Sequence, residues 1–418
     1  MSIEFSEFGK RFARHTGALS LMEDLGAALE SGDSIYMLGG GNPAKIPEMD
    51  EVFATELGKI VSDRHELHRL ASSYAAPEGD YGFRSTLAGS LKNRYGWDIS
   101  ADNIALTSGS QNSFFMLFNL LAGQMADGSQ RKILLPITPE YMGYEDVGVE
   151  SGIFTAQRPT IEILEDNLFK YHVDFEHLEV GPDIAAICVS RPTNPTGNVL
   201  TDDEVAHLAD MARNAGVPLI IDNAYGLPFP HIINCEATPI WDENIIMCMS
   251  LSKVGLPAVR TGIVIATEEI IAALGAMNAI MHLAVSSVGA VWLHDALKSG
   301  RLYELSRDVI GPFYHRSAQN ALDCIRREFA GLDYMVHAPE GAIFLWLWFP
   351  RLPIPSEELY ERLKQKGVLV LSGHHFFPGL EEDWQHRHEC IRINHSGGEK
   401  TVREGLKIIA DLVREVSE

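Results

Sequence analysis

Ile245-Ile-Met-Cys-Met249, followed at once by Ser250-Leu251-Ser252-Lys253 and then by Gly255, Pro257 and Arg260, is the stretch on which the fold and chemistry of this chain turn. Apolar residues in a row, without alternation, read as a strand buried on both faces, as in a parallel sheet covered by helices. A lysine just past such a strand is desolvated, which lowers the amine pKa and frees its lone pair for imine formation. The two serine hydroxyls before it and Arg260 after it suit a phosphate. Together they point to a pyridoxal phosphate (PLP) site with Lys253 as the Schiff-base lysine. Taken alone, the stretch fits a solvated loop lysine better, so the rest of the chain decides.

Working outward, further apolar runs read as strands at Ile104–Thr107, Lys132–Pro136, Ile184–Ser190, Pro218–Asp222 and Gly262–Ala266. Helical stretches separate several of them. Ser110 to Leu121 is one, with Ser110 as the expected N-cap, and Thr201 to Asn214 is another, opening on a capping box and ending at Gly216. Strands alternating with helices predict a doubly wound α/β fold. After about residue 298 the pattern changes to a long helical segment (Tyr303 to Phe329), strands at Ala342–Phe349, Val368–Leu371 and Cys390–Asn394, a helix at Ser356–Lys366 and a final amphipathic helix. The expected division is a large unit over 48–298 and a smaller α+β unit made of 299–418, with the N-terminal 1–47 packed on it or across the boundary.

The 418 residues are enough for a sizeable core, and 46% hydrophobic with 22% charged residues is an ordinary globular composition. A formal charge of −23 argues against nucleic acid or an anionic membrane as the main partner. Five scattered cysteines with no CxxC pair fit a reducing, cytoplasmic compartment. No apolar leader stands at the N-terminus, and no run reaches the roughly 18 apolar residues of a membrane helix.

PLP needs cations and N–H donors at its phosphate, a carboxylate at its pyridine nitrogen, donors at its phenolic oxygen and a stacking partner. Asp222 ends the run Pro218-Leu-Ile-Ile-Asp222 at the carboxyl edge of the expected sheet, where ligands of open α/β sheets bind. A turn-capping aspartate fits there equally well. Tyr225 can reach the same crevice, or can be an interface tyrosine. Asn194, in Arg191-Pro-Thr-Asn194-Pro195-Thr-Gly197, can donate to a phenolic oxygen or simply form an Asn-Pro turn. Thr107-Ser-Gly-Ser110-Gln111 joins a strand to a helix, and helix N-terminal amides bind phosphate. Tyr141 follows a strand and can stack on a ring or pack as an ordinary aromatic. Arg392, inside Ile391-Arg392-Ile393-Asn394, needs an anion: a substrate carboxylate or an internal salt bridge.

The order and spacing of these pieces narrow the choice. With Tyr74 and Gly79, Ser108-Gly109-Ser110-Gln111, Tyr141, Asn194-Pro-Thr-Gly197, Asp222-Asn-Ala-Tyr225, Ser250-Leu-Ser252-Lys253, Arg260 and Arg392, the chain resembles the fold-type I PLP-dependent aminotransferases over essentially its whole length. The resemblance implies a mainly parallel seven-stranded sheet in a large PLP-binding domain, plus a smaller α+β domain. It implies Lys253 as the Schiff-base lysine and proton carrier, and Asp222 as partner of the pyridine nitrogen. Tyr225 and Asn194 fall at the phenolic oxygen, Ser110, Gln111, Ser250, Ser252 and Arg260 at the phosphate, Tyr141 on the ring, and Arg392 on the substrate carboxylate. Gly41 matches a glycine whose backbone lies near that carboxylate. Tyr74 matches a tyrosine that reaches the neighbouring subunit's cofactor, which implies a homodimer. Thr138–Pro139 and Asn194–Pro195 match positions where relatives have cis peptides. Met37-Leu-Gly-Gly-Gly-Asn-Pro43, Tyr171-His-Val-Asp-Phe-Glu-His177, Gly341-Ala-Ile-Phe-Leu-Trp-Leu-Trp348 and His375-Phe-Phe-Pro-Gly379 are similar to a branch that exchanges amino groups between valine or alanine and pyruvate or 2-oxoisovalerate. No second arginine matches a site for a distal carboxylate, although Arg158 and Arg191 have no assigned place.

Other readings are weaker. His374, His375, His386, His388 and Cys390 cluster, but read better as a polar loop near the site mouth than as a metal site. Gly39-Gly-Gly-Asn-Pro-Ala-Lys45 lacks the ending of a phosphate loop. Aminotransferases of other specificity and PLP lyases share these motifs, so reaction type rests on the resemblance. A PLP-sensing DNA-binding regulator would need an added basic module for which Tyr74 comes too early.

Overall fold

The computed structural model describes residues 3–14, positions 16, 19, 23 and 26, and 35–418. Its main sheet runs in the order Ile104–Thr107, Gly262–Ile265, Ile245–Ser250, Leu219–Asp222, Ile184–Ser190, Gln130–Leu135, with Phe154–Ala156 and the two-residue Gly123–Gln124 also paired to the last of these. Gly262–Ile265 and Gly123–Gln124 run against the others; the remaining pairings are parallel. The central strands are buried along their whole length, as their unbroken apolar runs predict. Register places Ser190 beside Asp222, Asp222 beside Cys248, and Ser250 and Thr107 on either side of Gly262. The carboxyl edge of the sheet therefore carries Ser190 and Asp222 in one row, with Thr107 and Ser250 paired to Gly262 two residues further along.

Both helices expected between these strands are present. Asp202–Ala215 opens on the reciprocal Thr201–Glu204 capping box and stops at left-handed Gly216. Ser110–Leu121 is capped one residue earlier than expected, by Gly109 at φ 89° with no side-chain cap. A serine there would sit in a backbone region that L side chains avoid. The long segment after 300 is broken: Arg301–Leu305, a π turn at Ser306–Ile310, then Gly311–Glu328. Pro312 has no N–H to continue the α ladder, which accounts for the wider turn ahead of it.

A second sheet runs Leu371–Ser372, Cys390–Asn394, Phe344–Trp348, Met335–His337, Leu168–His172, Thr160–Ile163. Its last two strands lie inside the range expected for the large unit, so the chain visits the second sheet before residue 299. Aromatic packing draws them there. Phe169 and Tyr171 are buried, and Trp346 donates to the Tyr171 hydroxyl at 3.0 Å. Buried Lys170 bonds Glu340 and the Val199 carbonyl, tying this sheet to the loop that carries Asn194. The expected strand Val368–Leu371 divides: Val368–Leu369 pairs with Tyr36–Met37, and Leu371–Ser372 pairs with the Arg392 strand. The N-terminal segment touches both sides. Arg11 donates to the Gly148 carbonyl at 2.8 Å, whereas Leu38 bonds Leu369 and Asn394. Among the described residues no helix is long and apolar enough to cross a membrane.

Candidate active site

Lys253 stands in a single 3-10 turn, Ser252–Val254, that ends the Ile245–Ser250 strand. Its Nζ donates to the Gly41 carbonyl at 2.6 Å and lies 5.3 Å from the centre of the Tyr225 ring. Burial, reinforced by Arg392 and Arg260, depresses its amine to about 8. The lysine is therefore partly neutral near physiological pH, as a nucleophile or proton carrier requires.

Asp222, at the end of its strand, accepts from the Ala224 amide at 3.0 Å and from the Tyr144 hydroxyl at 2.9 Å. Burial raises its carboxyl to about 6, against the pull of those two donors and of Lys253. Among the described residues no salt bridge neutralises it, so a cationic ring nitrogen would supply its missing counter-charge. Behind Asp222 stands Glu140, fully buried, which accepts from the Ser190 amide at 2.7 Å and the Ser190 hydroxyl at 2.5 Å. Glu140, Tyr144 and Ser190 were missed in the sequence. Glu140 lies within the very segment that drew notice for Tyr141, but a glutamate after a proline carries no sign of burial.

Where the main sheet meets the Ser110–Leu121 helix, Arg260 folds over the Ser108-Gly109-Ser110 turn. A Cβ on Gly109 would stand 2.3 Å from an Arg260 nitrogen. Arg260 also reaches the Ser252 hydroxyl at 3.4 Å, and the Ser250 hydroxyl accepts from the Ser252 amide at 3.1 Å. Arginine, serine hydroxyls and an uncapped helix start form a cradle of the size and charge a phosphate needs. Gln111 faces elsewhere with its amide, which donates to the Gly143 carbonyl at 2.8 Å. Tyr141 stands edge-on to Tyr144, at 5.4 Å between centroids. It fits only because Gly143 has no side chain, since a Cβ there would lie 2.4 Å from the Tyr141 ring.

Arg392 is 3% exposed on its strand. It donates to Asn194 Oδ1 at 2.7 Å and to the Gly39 carbonyl at 2.5 Å, and its guanidinium lies 4.0 Å from the Phe344 ring centre. Burial lowers its pKa to about 10. Among the described residues no carboxylate pairs with it, and its buried Nε has no partner. Asn394, two residues on, donates to the Gly40 carbonyl at 2.7 Å. The Gly39-Gly40-Gly41 segment is thus held by Arg392, Asn394 and Lys253, a convergence that the sequence showed only for Gly41 and Arg392. Beside Lys253 a cavity of about 440 Å³ is bordered by Pro43, Ala44, Ile46, Met49 and Phe53.

Tyr225 is buried edge-on to Phe344, and burial keeps its phenol protonated. Tyr74 stands apart from these groups, 85% exposed in the single chain. Thr138–Pro139 is cis, and in the Asn194 loop the cis bond is Arg191–Pro192 rather than Asn194–Pro195. The unassigned arginines find their partners elsewhere. Arg191 bonds Leu200, Thr238 and Asp202, and Arg158 pairs with Glu382 over the Trp384 ring. The histidines have partners of their own: His386 meets Tyr171 and Cys390, His374 packs on His375 at 3.9 Å between ring centroids and meets Ser372, and His388 meets Asp383. Among the described residues no group of three or more side chains is placed to hold a metal.

Residues 47–409 match the aminotransferase class I and II family. The chain belongs to that family. As a class I and II aminotransferase it is 50% identical, over 97% of both chains, to the valine–pyruvate aminotransferase of Escherichia coli K12. The crystal structure of valine-pyruvate aminotransferase from Salmonella typhimurium LT2 superposes with a TM-score of 0.89 at 47% identity, covering 96% of this chain and 99% of that one. The Pyrococcus horikoshii kynurenine aminotransferase shares the fold, with a TM-score of 0.80 at 22% identity over 98% of this chain and 97% of that one. The mainly parallel sheet expected from the resemblance is observed, with eight strands rather than seven once the two-residue Gly123–Gln124 strand at its edge is included.

Proposed function

We propose that this enzyme transfers the amino group of an aliphatic L-amino acid, valine or alanine, to a 2-oxo acid, pyruvate or 2-oxoisovalerate, with pyridoxal 5'-phosphate as cofactor. The observation that carries the reading is the meeting of Lys253, Asp222, Arg260 and Arg392 around one crevice, each with a need that this chemistry meets. The residues fit the group: the Gly109 cradle suits its phosphate, and Asp222 is a buried carboxylate in no salt bridge among the described residues. Ser110, Ser250, Ser252 and Arg260 would hold the phosphate, with the Gln111 backbone. Asp222 would hold a proton at the pyridine nitrogen, Asn194 and Tyr225 would meet the phenolic oxygen, and Tyr141 would face the ring. When bound, pyridoxal phosphate supplies the electron sink that makes an amino acid's Cα–H acidic.

The protein's own groups do the rest. Lys253, with its depressed pKa, takes the proton from Cα and returns it on the far side of the transfer. Arg392 grips the α-carboxylate with a planar fork, helped by Asn194 and the Gly41 backbone. Two-stage exchange follows from one crevice serving donor and acceptor in turn. Apolar side chains share the cavity beside Lys253 with Asn42, Lys45 and Asp50, and Arg158 and Arg191 are committed elsewhere, which supports an aliphatic side chain over one gripped by a second arginine. The 50% identical relative named for valine and pyruvate supports the same choice.

We infer that two chains associate. Ile280 at 86% and Leu283 at 70% exposure end a helix whose Asn278 is bonded to Pro77, near exposed Tyr74. Burying that apolar surface favours a second copy, and Tyr74 would then reach the neighbouring cofactor. The five free cysteines suit a reducing, cytoplasmic setting. A panel of amino donors with pyruvate, followed by alanine formation, tests the function. Valine as a leading donor is expected. Loss of valine without alanine would point to a lyase, and preference for aspartate or an aromatic donor would refute the aliphatic assignment.

A further inference from the structure

Four side chains link Glu140 to Asp222 through two hydroxyls. Glu140 Oε2 lies 2.5 Å from Ser190 Oγ, Ser190 Oγ lies 3.3 Å from the Tyr144 hydroxyl, and that hydroxyl lies 2.9 Å from Asp222 Oδ2. The partners recorded for the Glu140 carboxyl are the amides of Tyr141 and Ser190 and the Ser190 hydroxyl, none of them a cation. Three oxygen–oxygen gaps need three hydrogens, and the two hydroxyls supply two. With both carboxyls ionised, Ser190 donates to Glu140 and Tyr144 to Asp222, and the gap between the hydroxyls has no hydrogen. A third hydrogen on a carboxyl completes the chain.

We propose that Glu140 and Asp222 share a single proton across Ser190 and Tyr144, and that Glu140 carries it whenever Asp222 faces a cation. The shift moves one hydrogen in each gap and breaks no other bond: a neutral Glu140 donates to Ser190, Ser190 to Tyr144, and Tyr144 to ionised Asp222. Reversed, the same chain leaves Glu140 ionised and Asp222 neutral. Glu140 is then a positioning residue that keeps the negative charge on Asp222. This rests on the reading that Asp222 receives the pyridine nitrogen.

The order of proton affinities agrees. Burial pushes Glu140 up to about 8 and Asp222 to about 6, and each sits near the other's charge. The other groups that bear on the pair are the phenols of Tyr141, Tyr144 and Tyr225, the thiols of Cys188 and Cys248, and Lys253. Tyr144 is fixed by edge contacts with Phe114 and Phe118 at 5.0 and 5.2 Å, so the relay cannot easily turn away.

Infrared spectra of cofactor-free protein near neutral pH test this directly. A protonated, slowly exchanging carboxyl band is expected in the wild type, absent in Glu140→Gln and retained in Asp222→Asn. A wild type without the band, or a band that survives in Glu140→Gln, overturns the proposal. Thermal unfolding of the same apoproteins gives a second reading. Folded Glu140 holds its proton above the ordinary carboxyl range, so the wild type should lose stability relative to Glu140→Gln as pH rises from about 5 to about 8. A gap between the two that does not vary with pH indicates a purely structural role and overturns the proposal. If Glu140→Gln fails to fold, the wild-type band and its persistence in Asp222→Asn decide alone. Failure to bind pyridoxal phosphate would sink the reading of the site and leave these apoprotein results standing; a missing band in protein that does bind it would sink the shared proton only.

Discussion

The two walls of the crevice are built on different principles. On the sheet side, Asp222 and Ser190 at the ends of neighbouring strands and Glu140 and Tyr144 from the loop and turn after Gln130–Leu135 satisfy one another. On the opposite side, Lys253, Arg392 and Asn394 all donate to backbone carbonyls of Gly39, Gly40 and Gly41. The first wall has a fixed charge pattern that awaits one cation. The second presents cations whose partners are neutral carbonyls, which a carboxylate replaces with profit in charge-assisted bonding. A preformed wall suits a resident cofactor, and an exchangeable one suits substrates that come and go.

Changes to the second wall should fall on turnover and substrate handling, and at Lys253 on engagement of the cofactor as well. Lys253→Ala removes the proton carrier and should lower kcat by about 10³-fold or more, measured as alanine formed from valine and pyruvate. A residual rate near wild type would remove Lys253 from the mechanism. Arg392→Ala leaves a carboxylate without its fork, at about 2–5 kcal/mol, and should raise KM for the amino acid by two orders of magnitude while cofactor affinity holds. If cofactor affinity falls as much as substrate affinity, the two walls are not separate in function.

Changes to the first wall, and to the Gly109–Arg260 cradle at the same sheet edge, should fall on the cofactor. Gly109→Ala forces a Cβ against Arg260 at a φ of 89°, and should cost about 1–3 kcal/mol of stability along with affinity for pyridoxal phosphate. Calorimetry and cofactor titration read both; an unshifted midpoint would contradict the tight packing of the cradle. The smallest effect is one of pH. Because burial lowers the Lys253 amine to about 8, acylation of Lys253 in apoprotein should half-titrate near there rather than in the ordinary lysine range. An ordinary lysine profile would mean the amine is solvated.

The same contrast explains what could be read from the sequence. The main sheet announced itself because strands buried on both faces are apolar throughout, and its functional residues stand at their ends: Asp222, Ser250 and Lys253 follow their runs directly. Helix limits were legible where capping chemistry is local, at Thr201, Glu204 and Gly216. The strands Thr160–Ile163 and Leu168–His172 were not, because the first is largely exposed, and the second, with Lys170 and His172 in it, is tied to its sheet by a long-range pairing with Met335–His337. Glu140 and Tyr144 were silent for a similar reason. Nothing in a sequence tells a buried glutamate from a solvated one when its partner, Ser190, lies fifty positions away. Nor could spacing show that Asn394 and Arg392 clasp Gly39 and Gly40, more than 350 positions upstream.

The central claim is that Lys253 is the residue that engages the cofactor. Reducing the protein with borohydride in the presence of pyridoxal phosphate, then mapping the modified peptide by mass spectrometry, tests it most directly. The account predicts one stable phosphopyridoxyl adduct, on Lys253, absent from Lys253→Ala. An adduct confined to another lysine, or none at all in protein that turns over valine and pyruvate, would contradict it.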